Sequence, residues 1–482
     1  MIYRGYRNND IRKRMIEYLG GTSLEKVTAA YVTRCDDDSF INIDMKPPGA
    51  LDYFLDNGFD ICRSLWDSEF LIADLDIEYV NFDFPDEPYL DLKRSFQIQE
   101  PVVRTIENIL LRYSLNPLHL ISGRGHHFLW RISRNSRAFR RISSLGHLSH
   151  HLEDIYSHRF SPAGESVSSE LGAAFSGLGL IMEYMVYQIK EEASPICDLP
   201  VNLTAVTVGP GQRGREIVSL DISEYGDPLH TRAIRVPFSA YLKPWTKEKR
   251  LNKSVADRIP FQFIVPLHEM DILRAIEVMK DQHKIAELAK QVSTKIPGQV
   301  KGMERLVAAY KNSDVRRFHD WFYSQHHEPP DVWYKTYDLT PVEMLPSCVR
   351  RILKKPNDLL LRPAEIEIVV KSMLSLGWHP RHIAGLIRSK YERDYGWGEY
   401  WYVYDAGLRA DFYTRIFTGL FVTGRDDLTD FNCVSAREKG LCPGSDEPCQ
   451  LDEFRNSLLG RREYGRLASR PFNRLFLPGE HT

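Results

Sequence analysis

Hydrophobic and polar positions alternate along "FLIADLDIEYV" (70–80), which predicts a strand carrying Asp74 and Asp76 two residues apart. In an extended strand alternate side chains share a face, so the two carboxylates project together while Leu75 and Ile77 face the other way. Further β-rich runs are "HLISGRGHHFLWRI" (119–132) and "REIVSLDI" (215–222). Helical spacing separates them in "PVVRTIENILLRYSL" (101–115) and "SSELGAAFSGLGLIMEYMVYQI" (168–189). The mixture predicts an α/β or α+β domain with a sheet at its centre. Residues 134–166, rich in Arg, Ser and His, read as a polar excursion between elements. Charged helical text runs from about 268 to 325, and "HHEPPDVWYKTYDLTP" (326–341) breaks it. Beyond the break the chain reads as helical, as in "RPAEIEIVVKSMLSLGW" and "PRHIAGLIRSKYERDY".

A chain of 482 residues exceeds one ordinary core, so two or three domains are expected. Its 63 basic and 65 acidic residues nearly cancel, so any nucleic-acid contact must come from local patches. The start, "MIYRGYRNNDIRKRM", lacks the apolar core of a signal peptide, and no run is long enough to span a membrane. The expectation is an intracellular, cytoplasmic protein with no membrane partner. Seven cysteines are too few for a disulfide scaffold at this length. Cys35, Cys62 and Cys197 are scattered, whereas Cys433, Cys442 and Cys449 cluster near the end.

Two carboxylates on one strand face repel each other unless a cation lies between them, usually a divalent metal with oxygen ligands, the competing reading of the pair being a strand end that reaches solvent. A second motif, "SGRGHHFLW" (122–130), has two glycines flanking Arg124, which predicts a turn whose backbone approaches an anionic ligand. Ser122, Arg124 and His127 add groups suited to phosphate oxygens. The third motif spans 219–245, where Asp221 ends an apolar run as Asp74 does, and Arg232, Arg235, Ser239 and Lys243 follow. Basic side chains opposite a carboxylate–metal centre are what a nucleoside triphosphate needs. Asp227 rivals Asp221 for the third carboxylate, but its "YGDP" context reads as a turn. Asp83 and Asp86 read as solvated loop acids.

The order of these three motifs over about 170 residues resembles the archaeo-eukaryotic primase superfamily. The matching pieces are Asp74-Leu75-Asp76, then Ser122-Gly123-Arg124-Gly125-His126-His127, then Leu220-Asp221 followed by Arg232, Arg235, Pro237, Ser239 and Lys243. The resemblance implies a catalytic domain with an RNA-recognition-motif-like sheet. It implies that Asp74, Asp76 and Asp221 hold two divalent ions, Mg2+ or Mn2+. It implies nucleotide binding by Ser122, Gly123, Arg124, His127, Arg235, Ser239 and Lys243. Two positions depart from the family, which often has histidine where Tyr241 stands and usually glycine where Phe238 stands.

Cys433, Cys442 and Cys449 have eight and then six residues between them, wider than a zinc knuckle uses, with no histidine among them. Cys348 is the remaining cysteine of this part of the chain, and four thiolates fit zinc or an iron–sulfur cluster alike. A Pro-x-Cys ahead of a helix, the helical body and three closing cysteines resemble the C-terminal domain of the primase large subunit. That resemblance, over roughly 335–455, implies a [4Fe–4S] cluster held by Cys348, Cys433, Cys442 and Cys449, with zinc the alternative. His147, His150, His151 and His158 with Cys197 form a lesser zinc candidate, a polar helix face being the competing reading. Arg455, Arg461, Arg462, Arg466, Arg470 and Arg474, set among aromatics, form a basic tail suited to template phosphates, a solvated helix being the competing reading.

The expected organisation is a catalytic domain at 1–255, a helical linker region at 256–334, a large-subunit-like iron–sulfur domain at 335–455 and a basic tail at 456–482. The expected fold class is an α+β catalytic domain followed by a mostly helical one. The expected function is a primase–polymerase making or extending primers on single-stranded DNA from NTPs or dNTPs, working among replication proteins. The alternatives are a repair or translesion polymerase that only extends, and a non-catalytic nucleic-acid-binding subunit.

Overall fold

The computed structural model describes residues 4–34, 45–160, 164–205, 215–245, 257–397, 404–426, 428–444 and 449–467. The chain forms two compact units, one of residues 1–203 with 216–308 and one of residues 204–215 with 309–482. Their division falls earlier than the composition break at 326–341. The first unit is mixed α+β and the second is helical.

In the first unit the central strand is β3 (Phe70–Asn81). Its neighbours are β5 (Gly125–Ser133) and β7 (Glu216–Asp221), both antiparallel to it. Beyond β5 lie β4 (Leu118–Ile121) and β9 (Val265–Pro266), and beyond β7 lies the parallel β6 (Val201–Leu203), giving the order β6-β7-β3-β5-β4-β9. Leu71, Ala73, Leu75, Ile77 and Tyr79 are all buried on one face of β3. The helix Leu92–Arg112 lies on that face: its Phe96 meets the ring of His126, the register partner of Ile77, edge-on at 5.1 Å. A second helix, Ser169–Ala193, is apolar on nearly every side and is started by Ser168, whose side chain accepts from Leu171 N–H. Taking the four inner strands and the two long helices alone, the chain runs β3, helix, β4, β5, helix, β7. The even-numbered face of β3, with its acids, is opposite the Leu92–Arg112 helix.

A separate three-stranded sheet has the order β1-β2-β8, with β1 Ala29–Arg34, β2 Asp60–Asp67 and β8 Ala233–Arg235. Residues 134–166 are not merely a polar excursion. They contain the helices Arg137–Ser143 and His150–Ser157, and two serines of the stretch, Ser136 and Ser149, are their N-caps.

The second unit contains the helices Ser347–Lys354, Pro363–Ser375, Pro380–Tyr391, Ala406–Val422, Cys433–Glu438 and Leu451–Leu467. Pro363 and Pro380 each occupy the first helical position, where the missing N–H costs nothing. No helix among the described residues is long and apolar enough to cross a membrane.

Candidate active site on the central strand

Register assembles the site. Asp76 stands opposite His127 on β5 and opposite Asp221 on β7, so the three side chains form one row on one face of the sheet. Asp74 lies two residues along on the same face, and its backbone N–H and C=O both meet the hydroxyl of Tyr225. His127 Nδ1 lies 3.5 Å from Asp74 Oδ2, and its Nε2 lies 3.8 Å from Asp76 Oδ1. Burial alone would lower the imidazole pKa, but Asp76 and Asp74 outweigh it and raise it to about 9, so the ring is an imidazolium near neutral pH.

The acids respond in the opposite sense. Burial pushes the Asp76 carboxyl well above the ordinary range despite the opposing His127, and Glu78, Asp221 and Asp74 add to the rise. Burial likewise raises Asp221, against the Ser223 N–H that donates to it. Asp74 Oδ1 and Asp76 Oδ1 are buried without a hydrogen-bond partner. Orphaned carboxylate oxygens crowded on one face fit a divalent cation, which would replace the water they have lost. Among the described residues no three His, Cys, Asp or Glu side chains already converge as a closed metal-holding set. Asp227, the rival third carboxylate, is buried and engaged by Arg232, whereas Asp221 shares the row with Asp76.

The turn Ser122–Gly125 closes the β4–β5 hairpin, with Ser122 N–H donating to the Gly125 carbonyl at 2.9 Å. Its glycines serve a packing need. A Cβ on Gly123 would meet the Tyr241 ring at 2.4 Å, and one on Gly125 would meet the Ile77 carbonyl at 1.9 Å. The expected approach of a ligand to these Cα positions therefore gives way to close packing by the protein itself. Arg124 is buried, donates from Nη2 to Glu78 Oε2, and lies over the Tyr89 ring.

Lys243 Nζ approaches Glu78 Oε1 at 3.4 Å. Arg235 Nη1 donates to the buried Asp60 Oδ2 at 2.8 Å and its guanidinium covers the Tyr241 ring. Ser239 Oγ donates to the Val236 carbonyl at 2.6 Å. Phe238 has φ +67°, in the left-handed region that favours glycine.

Two acids of the site escaped the sequence reading. Glu78 continues the alternation as D-x-D-x-E and was legible in it. Glu224 lies on the turn Ser223–Gly226 after β7, with Oε1 buried and unpartnered. Burial, then the Asp74 and Asp221 carboxylates, raise its pKa well above the ordinary value. No sequence periodicity points to it, because the fold alone brings it to Asp74.

In the second unit, Cys433 Sγ and Cys449 Sγ lie 3.9 Å apart. Burial and then the neighbouring Cys449 and Cys442 sulfurs push the Cys348 thiol up to about 12. Burial and Cys449 push Cys433 up to about 11. The Cys433 and Cys449 sulfurs, 3.9 Å apart, are close enough to share a thiophilic ion, which takes them as thiolates. The histidine–cysteine zinc candidate is not assembled among the described residues. His150 pairs with Glu153 and His158 with the Asp154 carbonyl instead. Of the basic tail, Arg470 and Arg474 lie outside the described residues.

No family model, no curated protein and no solved structure matches this chain.

Proposed function

We propose that the chain is a primase–polymerase, a nucleotidyltransferase that makes or extends primers on a single-stranded DNA template. The observation that carries the reading is the row Asp221–Asp76–His127, with Asp74 beside it, on the sheet face opposite the Leu92–Arg112 helix. The β-α-β-β-α-β order, with strands arranged β7-β3-β5-β4, supports it further, since an RNA-recognition-motif-like sheet has that connectivity.

In the reaction a 3′-hydroxyl, or that of the first nucleotide, attacks the α-phosphorus. The new P–O bond forms as the bond to the departing pyrophosphate breaks. Magnesium or manganese, held by Asp74, Asp76 and Asp221, would supply activation of the hydroxyl and neutralisation of the triphosphate. The His127 imidazolium donates a charge-assisted hydrogen bond to a phosphate oxygen. Tyr225 fixes the backbone of Asp74, and Asp60 fixes Arg235 beside the site. In the second unit Cys348, Cys433, Cys442 and Cys449 would hold a [4Fe–4S] cluster, with zinc the alternative. That unit would grip template and initiating nucleotide, as in a small subunit fused to the end of a large one.

The test is synthesis on single-stranded template with ribo- and deoxynucleotides offered separately. Asp74→Ala and Asp76→Ala should each abolish incorporation while template binding survives. Substantial synthesis by the double variant would refute the assignment.

A further inference from the structure

The even face of β3 carries three acids in succession, and their surroundings differ sharply. Asp74 and Asp76 each present an oxygen with no hydrogen-bond partner. Glu78 has both of its oxygens engaged by cations, Oε2 by Arg124 and Oε1 by Lys243 at 3.4 Å. The Glu78 side chain is 7% exposed and that of Arg124 is 3%, whereas Lys243 keeps 32%. Glu78 also stands opposite Gly125 and Ser219, one row beyond Asp76.

We infer that Glu78 is a positioning residue for the nucleotide: it anchors Lys243 one row beyond the Asp76 row, where the outer phosphates of a bound triphosphate fall. The inference rests on the polymerase reading of the same site. Three physical points lead to it. A buried carboxylate with both oxygens taken by protein cations is a poor metal ligand, so Glu78 ends the cation-binding stretch of the strand. Arg124, in the hairpin turn and buried against Glu78 and Tyr89, locks the carboxylate's orientation. Lysine is a point charge on a flexible stem, and an anchor lowers the entropy lost when its ammonium meets a phosphate.

The experiment is calorimetric titration of the full chain with a non-hydrolysable nucleoside triphosphate in manganese, beside steady-state incorporation. Glu78→Gln should weaken triphosphate binding about tenfold and raise KM by a similar factor while kcat stays within about twofold. Glu78→Asp keeps the charge but withdraws it by one methylene, and should weaken binding in the same direction. This second variant decides the matter if the neutral one fails to fold. In the Glu78→Asp/Lys243→Ala double variant the loss should equal that of Lys243→Ala alone, because one residue acts through the other. Additive losses, or Glu78→Asp binding as tightly as the unaltered chain, would overturn the inference and leave the polymerase reading intact. An unaltered chain that binds no triphosphate would overturn both.

Discussion

Replacing Asp76 with Asn should make the metal-free protein more stable. The attraction lost is that to His127, whose Nε2 lies 3.8 Å from Asp76 Oδ1. At an effective dielectric near 20 that separation corresponds to ~4 kcal/mol. The repulsion removed comes from Asp221, directly opposite at roughly 5 Å and worth about 3 kcal/mol, and from Asp74, two residues along at roughly 7 Å and worth about 2 kcal/mol. The Glu78 charge is instead matched by Arg124 and Lys243. An orphaned buried oxygen adds a desolvation cost of about 1–3 kcal/mol. Repulsion and burial together exceed the attraction, in the direction of the raised Asp76 pKa. We expect a net gain of about 2–4 kcal/mol, which for a unit of this size is a rise in Tm of roughly 4–15 °C.

The pH dependence has a definite sign. The folded-state pKa of Asp76 lies above its unfolded value. The carboxyl therefore destabilises the metal-free fold progressively as pH rises above ~4 and through the folded value. The advantage of Asp76→Asn should be present at neutral pH and shrink as pH falls toward ~4. Melting by differential scanning calorimetry in chelator and in manganese reads both effects. Manganese should raise the Tm of the unaltered chain and leave that of Asp76→Asn nearly unmoved. A lower Tm for Asp76→Asn in chelator, or equal stabilisation of both chains by manganese, would refute this account of the row.

Three further outcomes are expected. Glu224→Gln should raise the half-saturating manganese concentration for incorporation about tenfold, because its carboxyl adjoins Asp74 and Asp221 without being in the row; an unchanged requirement would remove it from the site. Phe238→Gly relieves a left-handed backbone worth about 1–3 kcal/mol but deletes a fully buried ring worth about 3–5 kcal/mol, so denaturant titration should show a net loss. Protein purified without air should carry about four irons per chain, and Cys433→Ser should lose them; zinc in their place would remove the large-subunit part of the proposal.

Much of the site could be read from the chain because strand periodicity is local. The spacing of Asp74 and Asp76 fixed their common face, and the Gly-Arg-Gly turn marked the hairpin that brings His127 to them. Glu78 is visible in the same alternation, as the last acid of D-x-D-x-E. Glu224 was out of reach, since a short turn carries no periodicity and its meeting with Asp74 depends on where β7 ends. The small sheet of β1, β2 and β8 was missed for a related reason. β2 is buried on both faces, with Asp60, Arg63 and Asp67 inside it, so its polar residues hide the alternation that marks a half-buried strand. The late cysteines were legible as spacing along the chain, whereas the 3.9 Å approach of Cys433 Sγ to Cys449 Sγ depends on tertiary packing.

The antiparallel ladder also has a consequence for synthesis of the chain. β3 lies between β5 and β7, and β7 begins at Glu216, so the central strand emerges from the ribosome long before its second neighbour exists. Through that interval one edge of an apolar strand stands open, a template for pairing with other nascent chains. Asp74, Asp76 and Glu78, spaced along one face of it, are the charges that discourage such pairing. These acids would then serve the newborn chain first as a guard against aggregation, and would complete the proposed metal-holding set only after Asp221 arrives.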